Sequence, residues 1–544
     1  MQSSTQHMIT KNYNTFISNI RSTIFTIVFL IANQAHAGVT TEIAETNDSL
    51  SAPTEESAIT TSAFREQESD CTDHRQLQLT GLELLSAKAR AEIINHLPTC
   101  LHQTQLAAFS RLVTAQFIDA GYLNIDMIQV PTDKKNVIAL HIEPVRIESI
   151  TGTSTTIYPD FLFPGHQTHP FLNIHDLDQG LEQINRLACN QAQIEIYPGT
   201  AHSVIVHLNN QEKSRLHGNF AIDDNGQKST GKIVHHATVS IDSPLGLSDA
   251  VVVSGSQSQH SRSALLSYNV PFGYWLFSGT VSRSHYQSLV QLTNNSAQQR
   301  GQTPQITWRV ERTIQRDTQG VTQLFGQLSR TNTRSELSGS VIDVQSPVMS
   351  KSHVGISQTR QFNDASLTTT MEWQHGLNLF NATSDIAVIS PDYPHAQFDK
   401  LLFAANWTGH TTVQNQWLIH EHQLSTQYAW QRLYAIEQFN VTDRSGVRGL
   451  SDWGVAGDNG VTLHNTLSMP LTTFGIPMQP RLGFDLGATW NTGTHSHYQK
   501  AVSSSVGISV QWHTFTVDLD YARGKASLMP TVVNTFSATG SWSF

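Results

Sequence analysis

The sequence predicts a membrane β-barrel of about 16 antiparallel strands preceded by two small α+β modules. Three observations predict the barrel. The segment from Phe536 to Phe544 puts Phe536, Ala538, Gly540, Trp542 and Phe544 on one face and Ser537, Thr539, Ser541 and Ser543 on the other. This is a strand with one apolar and one wet side, ending in the aromatic that suits a last strand closing on the first. The composition, 38% hydrophobic and 14% charged with 33 Gly, lacks both the oily interior and the charged shell of a globular enzyme. Ser, Thr, Gln, Asn and His fill the gap, as a wall between lipid and water requires. Finally, the apolar run Ile24 to Ala32 is about half of a spanning helix, so a chain that crosses a membrane does so with strands.

The amino terminus addresses the chain. Lys11 and Arg21 precede the apolar run, and Ala35-His36-Ala37 offers the small-x-small pattern of a cleavage site. Residues 1–37 are therefore expected to be a signal peptide, with mature protein beginning at Gly38. Residues 38–70 hold eight acidic residues against Arg65, an acidic, solvated leader. Within it, Glu55 to Gln67 is a candidate plug helix, short and marginal on its own.

Residues 71–143 and 144–212 read as two mixed modules. In the first, Gln76 to Leu79 alternates as a strand, Ser86 caps a helix through Ile94, and Gln105 to Ala120 has helical spacing that Gly121 ends. Strands Tyr122 to Val130 and Val137 to Ile142 follow, around the turn Pro131-Thr132-Asp133. The second repeats the order: a strand from Val145 to Ile150, a helix carrying Leu177, Leu181, Ile184 and Leu187, then strands Gln193 to Tyr197 and Ser203 to Leu208. A Cys71–Cys100 disulfide is expected to tie the first module's start to its middle, contributing ~3–4 kcal/mol in the chain-entropy model. Cys189 is left over as an inert or weakly reactive thiol.

Residues 213–544 carry the barrel signal. Ile306, Trp308 and Val310 alternate with Thr307, Arg309 and Glu311, and Val506, Ile508, Val510 and Trp512 alternate with Gly507, Ser509 and Gln511. After Trp512 the phase flips to Phe515, Val517, Leu519 and Tyr521, which places a tight turn at His513-Thr514.

Catalytic and ligand motifs find no support. Gly226 to Lys232 (GQKSTGK) has phosphate-loop spacing, but Ile233 stands where Ser or Thr must hold magnesium, and strand-like sequence follows it. The pairs His420/His422 and His495/His497 share strand faces without the acids or cysteines of a metal set. No G-x-S-x-G elbow is present. A net charge of −10 argues against nucleic-acid binding. Neither enzyme activity nor a cofactor is expected.

One constellation remains. Val447-Arg448-Gly449-Leu450 lies in a long polar stretch between strand candidates, and Gly483-Phe484-Asp485-Leu486-Gly487 lies on a strand. With Ala120-Gly121-Tyr122, Asn185-Arg186-Leu187, Asn190-Gln191, Asp223 to Gly226 and Ser240 to Asp249, these segments resemble the TpsB transporters of two-partner secretion (ShlB/FhaC/HecB-like), within the superfamily of POTRA-bearing outer-membrane barrels. The resemblance spans nearly all of residues 71–544; the family's loop motif usually has an aromatic where Leu450 stands.

The resemblance implies two periplasmic POTRA modules, a 16-strand barrel in the outer membrane of a Gram-negative bacterium, and lipid around it. It also implies a barrel-assembly machinery acting on a terminus marked by Trp542 and Phe544. The implied activity is export of one large, unfolded TpsA-type exoprotein, a haemolysin, adhesin or contact-dependent toxin, captured first in the periplasm. The loop motif would fold back into the lumen, where Arg448 pairs with Asp485. A guanidinium fork meets a carboxylate through two hydrogen bonds, and Gly449 lets the backbone turn. Val447, Arg448, Gly449, Leu450, Phe484, Asp485 and Gly487 are thus the expected latch. The alternatives are an assembly factor that inserts other barrels, and a passive porin that has no use for residues 71–210.

Overall fold

The structure, a computed structural model, describes residues 75–544 except 100, 102, 135, 153–155, 165–170, 202, 292–295, 386–389, 391, 443–445, 494–497 and 528. The expected signal peptide, leader, Cys71, Cys100 and the His495/His497 pair lie outside the described residues or include residues that do. The described chain forms two compact units that meet in sequence at Lys213/Ser214.

The first unit holds two copies of one small fold. In the first copy, β1 (Gln76–Thr80) lies parallel to β3 (Val137–Pro144), and β2 (Ile125–Val130) pairs antiparallel with β3. Helix α1 (Ala87–Asn95) starts where the Ser86 hydroxyl accepts the Ala89 amide at 3.2 Å, satisfying one of the orphan donors of a first turn. Helix α2 (Gln103–Asp119) buries Phe109, Val113 and Phe117, one residue per turn, against Ile93 and Ile142. Full burial of a side chain such as Phe117 stabilises by roughly 1.5–3 kcal/mol. Gly121, at φ +93°, ends α2 in the left-handed region.

The second copy repeats the order: β4 (Arg146–Thr151) parallel to β6 (Ser203–Asn210), with β5 (Ala192–Pro198) antiparallel to β6. Between them lie a short helix α3 (Pro159–Leu162), which the sequence did not suggest, and α4 (Ile174–Asn185). Asn185 closes α4 onto β5 by accepting the Ala192 amide at 2.7 Å and donating to the Ala192 carbonyl at 2.9 Å. Asn190 donates to the Ile184 carbonyl at 3.1 Å. These bonds give the Asn185 and Asn190 motif residues a structural task. Leu187 lies beyond the end of α4 yet is buried, as is Cys189.

The copies are joined through Gly121 and Asn173. The Asn173 carboxamide caps α4 by accepting the His175 amide at 2.9 Å and donates to the Ala120 carbonyl at 3.1 Å, while the Ile174 amide reaches the Gly121 carbonyl at 2.8 Å. A Cβ on Gly121 would meet Asn173 Oδ1 at 2.5 Å. Tyr122 bridges to Asn173, so β2 begins three residues later than the sequence suggests.

The second unit is a closed antiparallel barrel of 16 long strands. The first eight are β7 (Leu216–Asp223), β8 (Val234–Asp242), β9 (Ala250–Gln257), β10 (Ser261–Phe272), β11 (Trp275–Gln291), β12 (Ser296–Asp317), β13 (Gly320–Asn332) and β14 (Val348–Phe362). The rest are β15 (Ala365–Leu377), β16 (Asp399–Val413), β17 (Gln416–Ala429), β18 (Asn459–Ser468), β19 (Ile476–Trp490), β20 (Gln499–Trp512), β21 (Phe515–Ala526) and β22 (Val533–Ser543). Each pairs with the next, and β22 returns to β7 through Thr539↔Asp223 to Ser543↔Asn219. Phe544 and Gly218 exchange both backbone hydrogen bonds at 3.0 Å. A Cβ on Gly218 would sit 2.6 Å from the Phe544 ring, so the glycine makes room for the terminal aromatic.

Alternation along the strands builds the two faces. On β21, Phe515, Val517, Leu519 and Tyr521 point outward and are exposed, while Asp518 and Asp520 point inward and hold Arg481. At one end the strands turn tightly, at Gln414-Asn415 with both residues at positive φ and at His513-Thr514 with His513 at φ 55°. The Gly226–Lys232 stretch is a hairpin connection in which the Gly226 amide reaches the Lys232 carbonyl at 2.9 Å, and β8 follows it. A phosphate loop needs a helix there.

The lumen loop and its wall partners

The segment between β17 and β18 leaves the barrel at the end opposite the tight turns, and its described residues, 430–442 and 446–458, fold against the inner wall. A small apolar core holds the returning part: Val441, Val447, Leu450 and Val455 pack with Ala501, Ala526 and Met529 of the wall region. Leu450, which stands where the family usually has an aromatic, is fully buried. A Cβ on Gly524 would lie 3.0 Å from Leu450 Cδ2, so Leu450 fits into a depression that a glycine leaves in the wall.

The motif arginine sits beside this core. Arg448 Nε donates to Asp485 Oδ2 at 2.8 Å and Nη2 donates to Oδ1 at 2.7 Å, the two parallel bonds of a fork on a carboxylate. The Arg448 backbone amide donates to Oδ2 at 3.0 Å, as does the Ser503 hydroxyl at 3.0 Å. Arg448 also reaches Thr466 Oγ1 at 3.3 Å and the Asn465 carbonyl. His464 Nδ1 lies 3.2 Å from Asp485 Oδ1 and 3.0 Å from the Gly446 carbonyl. Asp485 is 1% exposed and Arg448 17%, so the pair is largely withdrawn from water and breaking one side leaves a charge uncompensated.

Strand period explains the wall motif. Gly483, Asp485 and Gly487 occupy alternate positions of β19 and face the lumen. A Cβ on Gly483 would lie 2.3 Å from Arg448 Cζ, and one on Gly487 2.2 Å from Val441 Cγ1. The two glycines thus clear the space in which the loop lies on either side of the carboxylate. Gly449, at φ +78°, approaches so closely that a Cβ would meet Ala522 Cβ at 2.8 Å, and its carbonyl accepts the Thr535 hydroxyl at 2.8 Å.

One residue expected in the latch, Phe484, lies elsewhere. Phe484 lies on the opposite face of β19 and is 50% exposed, because a residue next to an inward carboxylate on a strand must point outward. It belongs to the outer apolar band. Trp542 and Phe544 also lie on the outer face, their rings 5.0 Å apart, with Phe515 6.3 Å from Trp542. Gly483 stands in the wall motif and Thr466 in the segment His464-Asn465-Thr466-Leu467 after the loop, but neither was given a role, and Ser503, Ala522 and Thr535 were not singled out by sequence. The i, i+2, i+4 spacing of Gly483, Asp485 and Gly487 was a readable signal for the first; the others arrive by strand pairings that leave no local trace. The His420 and His422 rings lie 5.8 Å apart on β17; no group of three or more metal-ligating side chains occurs among the described residues.

The profile of the haemolysin secretion/activation protein ShlB/FhaC/HecB family matches residues 202–510, and that of the POTRA domain matches residues 141–198. The haemolysin transporter protein HpmB of Proteus mirabilis is 26% identical over 462 residues, covering 84% of this chain and 82% of that protein. The haemolysin transporter protein ShlB of Serratia marcescens is 28% identical over 466 residues, covering 84% and 83%. Among solved structures, CdiB from Escherichia coli superposes with a TM-score of 0.77 at 24% identity over 89% of this chain and 93% of that one, a likeness of fold. With its profile matched over more than half of the sequence, the chain belongs to the ShlB/FhaC/HecB family of haemolysin secretion/activation proteins.

Proposed function

We propose that this outer-membrane barrel is the export pore of a two-partner secretion system, passing one large, unfolded exoprotein to the cell surface. The observation that carries the reading is the bidentate Arg448–Asp485 contact. It seats a loop inside the lumen of a barrel whose relatives are named haemolysin transporters and outer-membrane transporters. A loop pinned by a few polar contacts and a small apolar core is a plug that can be held at rest and moved during transit.

The two α+β modules are the periplasmic capture surface for the exoprotein. Both carry strand edges with apolar side chains in water: Ile128 and Val130 on β2, Ile196 and Tyr197 on β5. Such edges accept an added strand from an extended chain. The outward band of Phe484, Leu486, Phe515 and Tyr521 meets outer-membrane lipid. The barrel-assembly machinery acts on the strand that ends in Trp542 and Phe544.

A photo-crosslinking residue at the lumen-facing position Thr307, in cells that co-express the exoprotein partner, tests the reading. Capture of that single high-mass chain is expected. Capture of assorted barrel precursors would instead identify an assembly factor, and deletion of residues 71–212 without loss of export would identify a passive pore.

A further inference from the structure

The near limb of the lumen loop carries a second polar contact, on a different part of the wall. A 3-10 turn, Ala435–Glu437, delivers a carboxylate that is 5% exposed. Glu437 Oε1 accepts Lys351 Nζ of β14 at 2.8 Å, and Oε2 accepts Lys400 Nζ of β16 at 3.0 Å. The Glu437 carbonyl accepts Lys400 Nζ at 3.0 Å and Gln427 Nε2 at 3.1 Å. Both lysines lie on the inward face of strands two apart in the wall, and both are nearly buried.

The surroundings show why an acid is needed there. On the wall nearby, Arg309 pairs with Glu311 at 2.6 Å and His353 with Glu372 at 2.6 Å. Arg309, Lys351 and Lys400 are thus three cations against two wall carboxylates, Glu311 and Glu372. Across β17 to β21 the balance reverses: Glu421, Asp485, Asp518 and Asp520 face one wall arginine, Arg481. The loop brings Glu437 to the basic sector and Arg448 to the acidic one, so these two charges match the two sectors in one orientation only.

We infer that Glu437, Lys351 and Lys400 form a second, independent clamp, with Glu437 a positioning residue that seats the near limb of the loop while Arg448–Asp485 seats the far limb. The inference rests on the plug reading of this loop. Removing Glu437 leaves two ammonium groups without the carboxylate that both of them hydrogen-bond, and the relief open to them is departure of the loop and entry of water. Removing all three charges takes away the mismatch together with the attraction, which is the condition for the loop to re-seat.

The test is conductance of the full-length protein in planar lipid bilayers, with heat-modifiable gel mobility as the folding control. Arg448→Ala, Glu437→Gln, Lys351→Met/Lys400→Met and the combined three-residue variant are compared with wild type. The inference predicts that Glu437→Gln and the double lysine variant each raise the frequency of large openings at least threefold, whereas the combined variant falls back to within about twofold of wild type, a non-additivity diagnostic of coupled charges. Wild-type conductance in Glu437→Gln alongside an open Arg448→Ala overturns the clamp and leaves the plug standing. Additive effects in the combined variant overturn it as well. If neither Glu437→Gln nor Arg448→Ala changes conductance, plug and clamp fall together.

Discussion

The guanidinium of Arg448 occupies the space in which a side chain at residue 483 would stand: a Cβ built on Gly483 comes 2.3 Å from both Arg448 Cζ and Nη2. The loop's charge and the wall's missing side chain are two halves of one fit. Gly483→Ala should therefore unseat Arg448 without altering any charge, and single-channel recording should show more large openings, as for Arg448→Ala. Arg448→Lys keeps the charge but loses the two-pronged geometry, and its opening frequency should fall between wild type and Arg448→Ala.

Gly449 is constrained twice, by φ +78° and by the wall at Ala522. A left-handed alanine costs about 1–2 kcal/mol, before any clash. Gly449→Ala should raise cleavage of the loop by protease added outside cells. Adding Ala522→Gly removes the contact but not the backbone cost, so the double variant should recover part of the protection and not all of it.

Glu437 has a defined acid dependence. Burial alone would raise its carboxyl, but Lys351 and Lys400 outweigh burial and hold it at about 2. Because this lies below the ordinary ~4.3 of a glutamate, its stabilisation is complete above that value and fades as pH falls toward 2. The facing groups are Lys351, Lys400 and Gln427, with Glu372 near Lys400. The conductance difference between wild type and Glu437→Gln should be the same at pH 7 and pH 5 and shrink below about pH 3.

The seam between β22 and β7 depends on a ring over a glycine. Gly218→Val should force the Phe544 ring aside, since even a Cβ lies 2.6 Å from it. The fraction of heat-modifiable barrel in outer membranes should drop severalfold.

The fold was largely legible in the sequence because a two-faced strand writes its period locally. The flip after Trp512 located the turn at His513-Thr514, and the alternation ending at Phe544 located the seam. Within the α+β modules, Ser86 and Gly121 marked helix ends by their chemistry. Helix α3 was not legible, being four residues long and too short for a period. At the lumen site the sequence exposed one acid and one arginine through a resemblance, and it assigned Phe484 to the wrong face when strand parity alone would have turned it outward. Lys351, Lys400 and Glu437 were silent, because three residues up to 86 positions apart meet only after the barrel has closed.

Export itself is the most direct measurement of the central claim, that the Arg448–Asp485 seat controls passage through the lumen. Arg448→Ala and Asp485→Ala, expressed with the exoprotein partner, should each reach the outer membrane as heat-modifiable barrels in wild-type amounts. Surface-exposed exoprotein should fall at least tenfold in both. Inserted barrels that export at the wild-type level would contradict the account.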